Sequence, residues 1–113
     1  NAHATSTPVG DLNEAKAIAE VFGNHRPYVT STKSQTGHEM WMAGASEVIY
    51  SILMMNNGFI APNLNFEEPD EASALLNIPS RRIETEFDTF LSNSFGFGGT
   101  NSSLIIRKFK ENN

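Results

Sequence analysis

The sequence contains no cysteine. That excludes a disulfide scaffold and a thiolate metal site, and leaves the redox compartment open. Positive charge is scarce. Eight Lys and Arg stand against 13 Asp and Glu, for a net charge of −5, so there is no basic footprint for nucleic acid or an anionic membrane. A basic segment followed by an apolar run, the mark of a signal peptide, is missing from the start. Long hydrophobic runs are also missing. The longest apolar stretch, Met40 to Met55, is interrupted by Glu47 and is short for a membrane span, so it reads as a buried helix. Internal repeats and low-complexity segments are absent. The remainder, 113 residues at 39% hydrophobic and 19% charged, is ordinary for one globular domain or part of one. Asn1 falls directly on a motif, with no element leading into it. Site loops of α/β proteins follow strands, so the chain is expected to be a piece of a larger protein.

Periodicity sets out the elements. Asp11 and Glu14 read as N-cap and N3 carboxylates of a helix. Leu12, Ala15, Ile18, Ala19 and Phe22 recur at helical spacing, and Gly23 is a natural stop. Tyr28 to Thr32 has strand character, and Lys33 to His38 reads as a turn. A second helix is expected over Glu39 to Asn56, apolar on nearly every face and therefore interior, ending at Gly58. Its patch Ala43 to Ser46 is small enough for another backbone to approach closely. Phe59 to Pro62 is a short extended piece, and Glu67 to Glu71 a solvated acidic loop. Thr89 to Phe95 and Ser103 to Arg107 read as strands joined by a glycine-rich hairpin. Lys108 to Asn113 reads as a frayed tail. The order helix, strand, helix, strand, strand predicts an α/β fold with a mixed sheet and covering helices.

Three segments concentrate the polar chemistry. The first is Asn1-Ala2-His3-Ala4-Thr5-Ser6-Thr7-Pro8-Val9-Gly10-Asp11, the second Lys33-Ser34-Gln35-Thr36-Gly37-His38, and the third Asn93-Ser94-Phe95-Gly96-Phe97-Gly98-Gly99-Thr100-Asn101. His3 and His38 stand among small and hydroxyl residues, where a neutral imidazole can donate to an oxygen that gains charge. Taken one at a time, each reads more simply as a histidine that stabilises a turn or lies on the surface. His25 reads as an exposed loop residue. Glu47 lies mid-helix among apolar side chains, where a lone carboxylate is expensive to bury; Lys33 is its expected cationic partner. The glycines after Phe95 let a substrate reach main-chain N–H groups, and a plain hairpin turn is the simpler reading. A metal site from His3, His38 and a carboxylate is a minor alternative, and the expectation is no metal.

In order and spacing the three segments together resemble the C-terminal part of a β-ketoacyl-acyl-carrier-protein synthase. Gly58 to Asn63 and Tyr50 to Leu53 resemble the type I elongating branch. The resemblance implies a thiolase-like fold, this chain (residues 1–113) supplying most of the second half of a five-layer α-β-α-β-α sandwich. It implies a parent that is cytoplasmic, homodimeric and active in fatty acid synthesis, with acyl-carrier protein as partner. It implies no cofactor of the protein's own; the substrate rides on phosphopantetheine. It implies a decarboxylating Claisen condensation in which the nucleophilic cysteine comes from the N-terminal half. This cysteine-free chain would polarise a thioester without attacking one.

By the same resemblance, His3 and His38 are the catalytic histidines, and Lys33 tunes them with Glu47, Asp11 and Glu14 as polar support. Thr5 and Thr7 bind the phosphopantetheine arm. Phe97 offers its N–H to an oxyanion hole, Phe95 and Phe97 border and gate the acyl pocket, and Gly98 and Gly99 face the substrate. Two departures from the family pattern stand out. Ala4 replaces a usual glycine, which is strained if its φ is positive. Glu39-Met40-Trp41-Met42-Ala43-Gly44 replaces a run such as Ser-Leu-Gly-Ala-Ala-Gly, adding bulk near the acyl pocket or the interface between halves. The alternatives are a cysteine-less decarboxylase or chain-length-factor-like relative, and a free-standing carrier-protein interaction module. The module reading requires a modest exposed apolar area.

Overall fold

The computed structural model describes residues 1–111. Residues 112–113, the end of the expected tail, lie outside the described residues. Helix α1 spans Pro8–Phe22. Pro8 opens it with a φ already suited to a helix, and the Gly23 N–H closes it on the Ala19 carbonyl at 2.9 Å. Asp11 and Glu14 are not the caps that their spacing suggested. The helix begins three residues before Asp11, and both carboxylates turn back onto the preceding loop.

A single helical turn, α2 (Lys33–Thr36), stands where a simple turn was expected. A 3-10 turn at Met40–Met42 then leads into α3, Ala43–Asn57. Gly58, left-handed at φ 66°, ends α3. Strand β1 (Phe59–Ile60) pairs antiparallel with β2 (Ile83–Glu84). A 3-10 turn at Ser73–Leu75 lies between them. Strands β3 (Thr89–Gly96) and β4 (Thr100–Arg107) form the expected hairpin, in register from Thr89 opposite Arg107 to Gly96 opposite Thr100. Gly98 and Gly99, at φ 86° and 88°, make its tip.

The expected mixed sheet is, among the described residues, two separate antiparallel ladders and one parallel bridge, Tyr28 to Asn77. The segment Tyr28 to Thr32 joins no ladder, because its main chain is satisfied otherwise, and Thr32 at its end is already helical (φ −65°, ψ −15°). Val29 N donates to the Asn77 carbonyl, Ser31 N donates to Asn63 Oδ1, and Ala2 N donates to the Thr30 carbonyl. On its other side the start of the chain runs along β3. Asn1 N donates to Leu91 O, and Asn93 N donates to Asn1 O. The opening loop is thus wedged between the 28–32 segment and the hairpin.

Helix α3 lies across β3. Gly44 allows this approach, since a Cβ there would sit 2.9 Å from Ser94 Oγ. The apolar core is small: Ala2, Ala15, Ala43, Met54, Met55, Ile60 and Ala72 are buried. Helix α3 was expected to be wholly interior, but it buries only one face. Ile49 and Leu53 are 56% and 51% exposed, and most of β4 is also exposed. Among the described residues no helix is long and apolar enough to cross a membrane.

Candidate functional site

The loop that carries His3 is held from beneath by α1. Glu14, buried, accepts the His3 N–H on Oε2 at 2.9 Å and the Ala4 N–H on Oε1 at 2.8 Å. Asp11 accepts the Thr5 N–H at 3.1 Å. Ser6, at φ 63°, completes the bend. Ala4 does not have positive φ, so its methyl carries no strain.

The two histidine rings meet. Their centroids are 5.6 Å apart at 90°, and the Phe95 ring lies 5.4 Å from His3. In both imidazoles Nδ1 accepts a main-chain N–H, from Phe95 at 3.3 Å for His3 and from Met40 at 3.1 Å for His38. A main-chain N–H can only donate, so a neutral ring must carry its own proton on Nε2. Each ring therefore offers an Nε2–H donor. The pKa of His3 lies below the usual histidine range, chiefly through burial and then through the Lys33 ammonium. Glu14 and Glu47 oppose this and His38 adds to it. The neutral donor form is thus favoured near pH 7.

Lys33 and Glu47, both buried, form the expected ion pair. Each charge offsets the cost of burying the other. Asn1 joins this pair to the opening loop, its side-chain amide donating to Thr32 Oγ1, the Glu47 carbonyl and Ser51 Oγ. Glu39 Oε2, Glu47 Oε2 and Ser92 Oγ are buried with no hydrogen-bond partner among the described residues. Also among the described residues, no three His, Asp or Glu side chains gather as a metal site.

A cleft of about 680 Å³ opens beside these groups, lined by Thr5, Asp11, Glu14, Lys33 and His38 among others. Thr5 and Thr7 hydroxyls are 3.3 Å apart, with Thr7 exposed. Phe95 is at the site, but the Phe97 ring is not. It is fully exposed at the hairpin tip, so its ring borders no acyl pocket within this chain. The hairpin turns at Gly98 and Gly99, where an added Cβ would meet nothing within 4 Å. His25 is exposed, as expected.

Two asparagines do more than their place in the sequence suggested. Asn1 is the hub just described. Asn93 donates to Glu14 Oε2 at 3.3 Å, and its Oδ1 accepts from Ser103. These two asparagines open the first and third motifs, and the available signal was a carboxamide at the start of each of those two. A short chain of polar contacts thus runs from α1 through β3 to the histidine loop.

Comparison with known proteins identifies the family. Residues 1–67 match the family described as beta-ketoacyl synthase, C-terminal domain. The 3-oxoacyl-(acyl-carrier-protein) synthase 1 of Escherichia coli (strain K12) is 54% identical over 111 residues, which are 98% of this chain and 27% of that protein. The structure of the ishigamide ketosynthase/chain length factor superposes with a TM-score of 0.90 at 34% identity, covering 97% of this chain and 27% of that one. A type II PKS acyl-carrier protein in complex with its ketosynthase, AntDE:AntF, gives a TM-score of 0.86 at 32% identity, covering 97% and 28%. The chain therefore spans about a quarter of the length of the relatives it matches and shares their thiolase-like ketosynthase fold. It belongs to the β-ketoacyl synthase family.

Proposed function

We propose that this chain, over residues 1–113, is the donor-bearing C-terminal part of a condensing enzyme of fatty acid synthesis. The parent joins malonyl units to an acyl-enzyme thioester and releases β-ketoacyl-acyl-carrier protein. One observation carries the reading: the His3 and His38 rings meet with both Nδ1 atoms occupied by main-chain donors. Two Nε2–H groups are then free to serve one oxygen.

The chemistry follows from that. As the malonyl C–CO₂ bond breaks, carbon dioxide leaves and its electron pair moves into an enolate on the thioester oxygen. His3 and His38 stabilise that oxygen without protonating the carbon. The enolate carbon then attacks the acyl carbonyl held on a cysteine of the N-terminal half. A carbon–carbon bond forms, and the cysteine thiolate leaves. Lys33 and Glu47 support the donors as a buried pair of opposite charges, and Asp11 and Glu14 fix the loop that presents His3. Thr5 and Thr7 hold the phosphopantetheine arm of the carrier protein. The Phe97 N–H serves the oxyanion of the acyl-transfer step, and the open backbone at Gly98 and Gly99 lets the thioester approach. Phe95, against His3, excludes water, which would weaken both donors and protonate the carbanion.

The neighbouring structure of a ketosynthase with its acyl-carrier protein supports the carrier protein as partner. The exposed faces of α3 and β4 support docking to the N-terminal half in a homodimeric parent. The reading includes a cytoplasmic location and no bound cofactor.

In the full-length synthase, His3→Ala and His38→Ala should each cut malonyl decarboxylation by roughly 100-fold or more. Transfer of the acyl group to the enzyme should persist. Loss of acyl transfer with decarboxylation intact would overturn the assignment. The likeness to a ketosynthase/chain length factor favours one second reading, a parent without the nucleophile. Such a parent gains no acyl mass when incubated with acyl donor, and intact-protein mass spectrometry separates the two.

A further inference from the structure

The turn that presents His38 is unusual. Met40 adopts φ 54°, a left-handed conformation that a bulky side chain takes up rarely. Yet only this turn brings the Met40 N–H to His38 Nδ1, two residues back. Packing does not hold it there, because Met40, Trp41 and Met42 are 61%, 101% and 60% exposed. The residue between His38 and Met40 is Glu39, which stands where the resemblance leads one to expect serine. Its Oε1 accepts the Tyr50 hydroxyl at 2.5 Å, and its main-chain carbonyl accepts the Met42 N–H at 3.3 Å. Its carboxyl lies below the usual range, chiefly through the Ser46 hydroxyl and then through Tyr50, with Thr36 contributing. Tyr50 is pushed up in return, first by its bond to Glu39. Ser46 and Tyr50 are one turn apart on the same face of α3, and Thr36 ends α2. Through Tyr50 the carboxylate ties the histidine turn to α3, while its Oε2 has no hydrogen-bond partner among the described residues.

We propose that Glu39, through its bond to Tyr50, is a positioning residue for His38: it holds the turn that fixes the His38 proton on Nε2. This rests on the reading of His38 as one of two donors. Glu39 does not touch substrate. Its contribution is to keep an otherwise disfavoured turn in the conformation in which His38 points its proton away from its own backbone.

The test uses the full-length synthase with Glu39→Ala, Tyr50→Phe and Glu39→Gln. In Glu39→Ala, malonyl decarboxylation kcat should fall roughly 10- to 100-fold, the range for losing a group that orients a catalytic ligand. The KM for malonyl-carrier protein should change by less than about twofold, since ground-state binding is untouched. Acyl transfer should be unchanged. Tyr50→Phe should lose rate in the same direction. Glu39→Gln keeps an acceptor for Tyr50 and should recover most of the rate. Nitrogen-15 NMR should show an acceptor-type Nδ1 on His38 in the wild type and a mixture of tautomers in Glu39→Ala. A Glu39→Ala kcat within about twofold of wild type, an equal loss of acyl transfer, or an unchanged His38 spectrum would each overturn the proposal. A wild-type enzyme without malonyl decarboxylation would instead overturn the functional reading, and the His38 spectrum of Glu39→Ala would still decide this one.

Discussion

At the scale of single residues, protonation decides what His3 does. Burial and Lys33 lower its pKa from an ordinary value of about 6.5. The native state therefore binds fewer protons than the unfolded chain as pH falls below that value. Stability is complete above the unfolded pKa and declines as pH drops toward the folded one. The donor function follows the folded pKa, so it survives to lower pH than a free histidine would allow. In Lys33→Met the cationic influence that lowers the His3 pKa is lost. We expect the His3 Cε1–H resonance to titrate at higher pH in that variant, and an unmoved titration would rule out Lys33 as a tuning group.

At the scale of elements, the first link is between α1 and the loop before it. Glu14 takes two main-chain N–H groups on two carboxylate oxygens. Glutamine has only one acceptor oxygen. Glu14→Gln should therefore leave one of these N–H groups unpaired, at a cost of about 1–3 kcal/mol, measured by denaturant unfolding. An unchanged midpoint would show that the two bonds contribute nothing. Here the limits of reading a sequence are plain. The hairpin, the glycine stops and the Lys33–Glu47 pair were legible, because turn chemistry and the cost of burying a lone charge are local facts. Glu14 was misread as a helix cap because its spacing from Asp11 suits either role, and only the fold shows which N–H groups lie nearby. The segment Tyr28 to Thr32 has strand-like residues, yet Asn63 and Ala2 meet its main chain instead of a strand. At the site, the histidines and Phe95 were legible as motif residues. The exposure of the Phe97 ring was not, since it depends on the path of the hairpin tip rather than on its neighbours in the sequence. The Glu39–Tyr50 bond spans two elements, and no local pattern announces it.

At the scale of the whole molecule, the chain leaves a great deal of apolar surface in water. Ile49 and Leu53 on α3, Leu104 and Ile105 on β4, and Trp41 before α3 are all exposed. A free-standing module would bury or replace such residues. The chain on its own should self-associate and bind a hydrophobic dye, measured by light scattering and fluorescence. A dye-silent monomer of 12.4 kDa would favour the interaction-module reading instead.

The two imidazole locks also differ in how far along the chain they reach. His38 takes its N–H from a residue two positions away, so that lock can form as soon as its turn does. His3 takes its N–H from Phe95, 92 positions later. On the ribosome, the first ring therefore waits unoriented until almost all of this chain has been made. A truncated nascent product can carry both histidines and still lack the paired donors.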